Sequence, residues 1–233
     1  MTEVGVDELK RRAAEAAFQR VQSGMVLGLG TGSTVAHLLD LIGAALSSGE
    51  LTDIVAVPTS VRTETRAREL GIELIGLATR PALDLTIDGA DEVSPRLDLI
   101  KGGGGALLRE KMVAQASERV VIIADAAKAV GRLGSTFPLP VEVVEWSWDA
   151  HVRFLEGFGA EVVPRRGADG ALVRSDNGQL LLDCHFEGGI PDPQGLEEAL
   201  SRRAGIVETG LFLGIADEAF VAGPDGVQRM EAQ

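Results

Sequence analysis

Short apolar runs that stop at glycine-rich turns and lead straight into helical stretches recur through the first half of this chain. No other feature restricts its fold as much. Met25 to Leu29 is too short for a helix and ends in Gly30-Thr31-Gly32-Ser33-Thr34, after which a helical stretch, Val35 to Leu46, begins. The pattern returns as strand Ile54 to Val57, helix Thr59 to Leu70 stopped by Gly71, and strand Leu74 to Leu77. Leu83 to Ile87 runs into Asp88-Gly89-Ala90-Asp91, and Leu97 to Ile100 runs into Lys101 and four glycines, Gly102 to Gly105. Helix Leu107 to Ala116 and strand Val120 to Ala124 follow, and an amphipathic helix from Asp7 to Val21 precedes the series. Strands alternating with helices predict an α/β fold: an open, mostly parallel, Rossmann-like sheet with helices on both faces.

The pattern changes after Gly134. Pro138 and Pro140 bracket a linker-like stretch before strand Val141 to Val144, helix Trp148 to Phe158 and an extended Glu161 to Val163. Ala171 to Arg174 and Gln179 to Asp183 flank Asp176-Asn177-Gly178, a strong hairpin signal, and Leu196 to Arg203 reads as a last helix. This order predicts a small α+β unit of ferredoxin-like type. Beyond Gly205, Leu211 to Ile215 and Ala219 to Ala222 read as strands that rejoin the first sheet.

Charge narrows the function classes. With 22 Lys and Arg against 35 Asp and Glu, the net charge is −13, which repels nucleic acid and anionic membranes. Aromatic residues are only 4% and Tyr is absent, so a base-stacking surface is not expected. No segment is apolar over the roughly 18 residues a membrane helix needs, and Met1 to Val21 lacks a signal-peptide apolar core. The single Cys184 excludes an intrachain disulfide and points to a reducing compartment, the cytoplasm. His37, His151 and His185 are scattered, so no metal site is expected. An anionic metabolite would need concentrated local donors to enter so negative a field.

Four clusters offer such chemistry. Thr31, Gly32, Ser33 and Thr34 stand between a strand and a helix, where amides and hydroxyls cradle a phosphate or merely cap a tight turn. Asp88, Gly89, Ala90 and Asp91 end a strand at the sheet edge where such folds bind ligands, although an Asx-type turn explains them locally. Lys101 with Gly102, Gly103 and Gly104 precedes a helix, and consecutive glycines are entropically costly unless the backbone approaches something closely. Glu110 either projects from the apolar face of that helix towards the glycines or, as neighbouring Arg109 and Lys111 favour, belongs to a solvated charged face. Lys128 follows a strand that ends near the same sheet edge.

In this order the clusters closely resemble ribose-5-phosphate isomerase, type A. The matching segments are Gly28 to Thr34, Thr86 to Glu92 and Lys101 to Lys111, with support from Ile123-Ala124-Asp125, Lys128, Phe137 to Val143 and Asp176-Asn177-Gly178. The resemblance implies phosphate and sugar contacts at Thr31 to Thr34, Asp88 to Asp91, Lys101 to Gly104 and Lys128, with Glu110 as the proton-transferring base. Lys10 is similar to a family position near the phosphate, and Leu108 stands where the family often carries Thr. It implies ribose 5-phosphate and ribulose 5-phosphate as substrates, no cofactor, and catalytic roles for Glu110, Asp88 and Lys101. It also implies that the small unit, 135–205, is inserted between 1–134 and 206–233 and helps form a homodimer or homotetramer. The implied fold is shared with sugar-phosphate sensor domains and with coenzyme A transferases, which remain the alternative functions.

Overall fold

The computed structural model describes residues 5–232; residues 1–4 and 233, assigned above to the larger domain, lie outside them. Helix α1 (Val6–Phe18) leads to β1 (Val26–Leu29), α2 (Ser33–Ser48), β2 (Val55–Pro58), α3 (Val61–Glu69), β3 (Glu73–Leu74) and β4 (Leu85–Gly89). Then come β5 (Glu92–Val93), β6 (Leu99–Ile100), α4 (Leu107–Gln115) and β7 (Val120–Asp125). The small unit contributes β8 (Leu139–Val143), α5 (Asp149–Glu156), β9 (Ala160–Pro164), β10 (Leu180–Phe186), α6 (Pro193–Ser201) and β11 (Ile206–Thr209). The chain ends with β12 (Leu211–Phe212), β13 (Glu218–Gly223) and β14 (Gly226–Glu231).

The main sheet has seven strands in the order β14-β13-β7-β4-β1-β2-β3, all parallel except the edge strand β14. Strand alternation sends Leu27, Leu29, Leu85, Ile87, Val121 and Ile123 to one face, where they pack with α1 and α2. Val120, Ile122, Ala124 and Val221 face the other way, towards α4 residue Ala114 and Phe212 of β12. Helices therefore cover both faces, as the alternation of strands and helices predicts. Among the described residues no helix is long and apolar enough to cross a membrane.

The second sheet is antiparallel, in the order β11-β8-β10-β9, the ferredoxin-like arrangement. Its fourth strand, Ile206–Thr209, lies beyond the boundary at 205 read from sequence. That strand carries a register shift between Ile206 and Glu208 and is mostly half-buried, so it shows no clean alternation. The Asp176-Asn177-Gly178 turn reverses the chain as expected, with Arg174 bridged antiparallel to Leu180, but Ala171 to Arg174 forms no full strand and β10 pairs along its length with β8 and β9.

Leu211 and Phe212 do not rejoin the main sheet. They pair with β6 in a three-stranded ribbon, β12-β6-β5. Gly210 fixes that path: it accepts from Lys101 N at 2.9 Å and donates to the Pro140 carbonyl at 2.8 Å, and a β-carbon there would overlap the Lys101 carbonyl. β13 does rejoin the sheet beside β7, and β14 is an exposed edge strand with too polar a pattern to read.

Candidate active site

Strand β1 connects outward to β2, whereas its other neighbour is β4, so the strand order reverses between β1 and β4. Ligand crevices of open α/β sheets form at such points, outside the carboxyl ends of the strands. A cleft opens there. Gly30 is glycine because the two strands approach closely: a β-carbon would overlap the Asp88 carboxylate.

Three acids at the end of β4 divide the work of holding the cleft. Asp88 Oδ1 accepts from Thr31 N at 3.0 Å and Gly89 N at 2.7 Å, while Oδ2 lies 3.0 Å from Lys101 Nζ. Asp91 Oδ2 accepts from Gly103 N at 2.7 Å and so tethers the glycine loop. Glu92, fully buried, accepts from Gly134 N, from Thr136 N and hydroxyl at 2.6 and 2.7 Å, and from Phe137 N at 2.8 Å. Those bonds fix the linker that places the Phe137 ring 5.6 Å from Lys128 Nζ.

Lys101 is 3% exposed and Glu110 4% exposed, with Lys101 Nζ 3.4 Å from Glu110 Oε2. The ammonium also donates to the Gly89 carbonyl and sits over the Phe212 ring at 5.5 Å. Glu110 Oε2 has no hydrogen-bond partner in the protein, an unsatisfied buried acceptor of the kind active sites hold for a ligand. Burial pushes its carboxyl up to about 8; Lys101 opposes the shift and the nearby Asp88 and Asp91 charges add to it. Burial pulls Lys101 down, but the carboxylates of Asp88 and Glu110 outweigh it and hold the ammonium above its usual range.

The glycine loop carries Glu110 on the first turns of α4. Gly102 and Gly105 take φ of +106° and +78°, backbone that favours glycine. Arg165, just past β9, donates to the Gly102 and Gly103 carbonyls at 2.9 and 3.2 Å while paired with Asp183. The loop is therefore fastened, not slack.

At the other end of the cleft, Gly32 (φ +127°) caps α2, with Ser33 and Thr34 lining the cleft at its amino terminus. Lys10 Nζ donates to Ser33 Oγ at 2.9 Å. Arg62 and Lys128 complete this basic rim. Thr31 lines the cleft too, but its hydroxyl is engaged in a buried cluster with Thr59, Ser60 and Thr63 at 2.8, 2.8 and 3.2 Å. Its hydroxyl is therefore already partnered within the protein.

Thr31, Gly32, Ser33, Thr34, Gly89, Ala90, Asp91, Lys101, Gly102, Gly103, Gly104, Glu110 and Lys128 thus meet in one cleft. Asp88 does not line it; its carboxylate lies beneath the floor, 2% exposed, behind Lys101. The solvated reading of Glu110 is overturned, since both it and Lys111 are buried. Arg62 has no motif around it, and sequence reasoning misses it. Among the described residues no group of His, Cys, Asp or Glu is arranged to hold a metal ion.

A family profile described as ribose 5-phosphate isomerase A (phosphoriboisomerase A) matches residues 55–226. The chain belongs to the ribose-5-phosphate isomerase A family. A ribose-5-phosphate isomerase A of Chloroflexus aurantiacus is 54% identical over 99% of this chain and 96% of its own length. A probable chloroplastic ribose-5-phosphate isomerase 3 of Arabidopsis thaliana is 48% identical over 96% and 83%. Among solved members of the family, a D-ribose-5-phosphate isomerase in complex with phospho-erythronic acid superposes with a TM-score of 0.94, at 38% identity, covering 97% of this chain and 99% of that one. The Plasmodium falciparum isomerase gives 0.93 at 37% identity, covering 97% and 98%.

Proposed function

We propose that this chain isomerises ribose 5-phosphate, the activity its relatives' names carry, interconverting it with ribulose 5-phosphate through an enediol with Glu110 as base. The observation that carries the reading is the buried Glu110 carboxyl at the glycine loop, whose Oε2 accepts no hydrogen bond and stands 3.4 Å from the Lys101 ammonium. In the open aldose, Glu110 takes the proton from C2. The C–H electron pair forms the C1–C2 double bond, and charge passes to O1, where Lys101 and the loop amides stabilise it. Transfer of the O2 proton to O1 then forms the C2 carbonyl as C1 takes the proton back from Glu110. A carboxyl poised near neutrality suits both directions of transfer.

Lys10, Ser33, Thr34, Arg62 and Lys128 bind the phosphate at the amino terminus of α2, so remote binding energy positions the reacting carbons. A neighbour's phosphorylated sugar acid is the ligand chemistry these cations and amides fit. Asp91 orients the sugar through the loop it tethers. Asp88 acts chiefly by fixing Lys101, because its oxygens are engaged by Lys101 and two amides below the cleft floor. This positioning role stands in place of the direct catalytic role that the resemblance implies, such as opening the furanose ring, and Asp88→Asn tests it. Equal loss on ring and open-chain substrate supports positioning; loss on the ring form alone restores the earlier role.

Self-association as a homodimer or homotetramer is assigned to the small unit, whose Trp146, Phe158 and Val163 are exposed. Sedimentation of Trp146→Ser against the unaltered chain checks it. The lone, buried Cys184 suits the cytoplasm. Incubation with ribose 5-phosphate, followed by assay for ribulose 5-phosphate, tests the whole reading; binding without conversion would leave a sensor, and acyl exchange a transferase.

A further inference from the structure

Glu110 sits between two basic residues that leave α4 on opposite flanks, since a helix turns about 100° per residue. Both are fastened to the small unit. Arg109 donates from Nε to Asn177 Oδ1 and from Nη2 to the Asp176 carbonyl, each at 2.9 Å. Lys111, 4% exposed, places Nζ 2.6 Å from Glu208 Oε1 and 3.3 Å from Glu197 Oε1, with the Phe212 ring 5.0 Å away. The acceptors come from three separate pieces of chain: the turn after Ser175, helix α6 and strand β11.

The anchors are themselves held. Asn177 Nδ2 donates to Glu142 Oε1 at 3.3 Å, and Ser175 Oγ donates to the same oxygen at 2.6 Å, on a fully buried β8 glutamate. The Thr209 hydroxyl donates to Glu197 Oε2, and Thr209 N to Glu208 Oε1 at 2.8 Å. Asp176 Oδ2 also accepts from Val61 N at 2.8 Å, tying the same turn to the start of α3 beside Arg62.

Burying a lysine among carboxylates adds little net stability compared with apolar packing, so this arrangement is better explained by geometry than by strength. A carboxylate that serves C1 and C2 in turn tolerates little roll of its helix, because a misplacement of about 1 Å can cost on the order of 10²-fold in rate. We propose that Arg109 and Lys111 are positioning residues of the isomerisation, fastening α4 to the small unit on both flanks and so fixing the roll that aims Glu110 into the cleft. The inference rests on Glu110 being the base.

The test compares Arg109→Ala, Arg109→Lys, Asn177→Ala, the Arg109→Ala/Asn177→Ala double variant and Lys111→Met for kcat and KM on ribose 5-phosphate. The Arg109 series carries the test by itself should Lys111→Met fail to fold, since the Arg109 side chain is 34% exposed. Arg109→Ala is expected to lower kcat roughly tenfold with KM within about twofold, and Arg109→Lys to recover part of the loss. The double variant is expected to lose less than the sum of the two single losses, because both changes break the same Arg109–Asn177 contact. An unchanged kcat with a lowered Tm, a rise in KM alone, or fully additive losses would each overturn the clamp. Failure of the unaltered chain to isomerise the sugar would instead remove the proposed function; normal turnover with unaffected Arg109 variants removes only the clamp.

Discussion

Lys101 Nζ and Glu110 Oε2 stand 3.4 Å apart, each residue almost wholly buried, and the ammonium is paired more closely with Asp88 at 3.0 Å than with Glu110. Asp88 therefore holds the lysine charged, and the lysine only partly offsets the desolvation of Glu110. One residue is kept protonated and the other poised to exchange a proton, which is the division of labour an enediol mechanism requires.

The pH dependence follows. Glu110 must be ionised to take the first proton, and its carboxyl is pushed up to about 8. We expect kcat/KM to rise with pH, to reach half its maximum near pH 8 and to level off above it. Lys101, held above its usual range, stays charged across that limb. A profile flat from pH 5 to pH 9 would contradict a buried glutamate base.

Lys101→Ala should lower kcat by more than it raises KM, since its charge is needed most where the oxyanion develops. Steady-state kinetics decide this. A rise in KM alone would make Lys101 a ground-state anchor.

Glu110 should also strain the fold. Because its folded-state pKa is raised from 4.5 to about 8, the folded protein keeps a proton that the unfolded chain releases, and stability falls as pH rises through that window. Glu110→Gln removes the penalty. Calorimetry is expected to show it melting on the order of several °C above the unaltered chain at pH 8, the gap closing towards pH 4.5. Identical melting at all pH values would mean that burial does not disfavour the carboxylate.

At the phosphate end, Lys10→Ala and Arg62→Ala should each raise KM about tenfold with kcat little changed. Added salt should raise KM of the unaltered chain more than that of either variant. A loss of kcat without a change in KM would place these side chains elsewhere in the mechanism.

Much of the cleft could be read in the sequence because its parts are backbone features with local signatures. The glycines of the 28–32 turn, and Gly102, Gly103 and Gly105 of the loop, answer to close approach or positive φ, and the acids of the Asp88 to Glu92 segment stand at a strand end. Long-range pairing had no such signature. Arg109 and Lys111 read as a solvated face because their partners, Asn177 and Glu208, lie far along the chain. Asp88 looked like a cleft group because a strand terminus does not reveal that Lys101 will cover it. Strands β11 and β14 escaped notice because one carries a register shift and the other is exposed along nearly its whole length.

The most direct measurement is turnover of ribose 5-phosphate by Glu110→Gln, made alongside binding of a phosphorylated sugar acid. Loss of turnover by about 10²–10⁴-fold with binding retained is the expected result. Turnover close to that of the unaltered chain would contradict the assignment of the base.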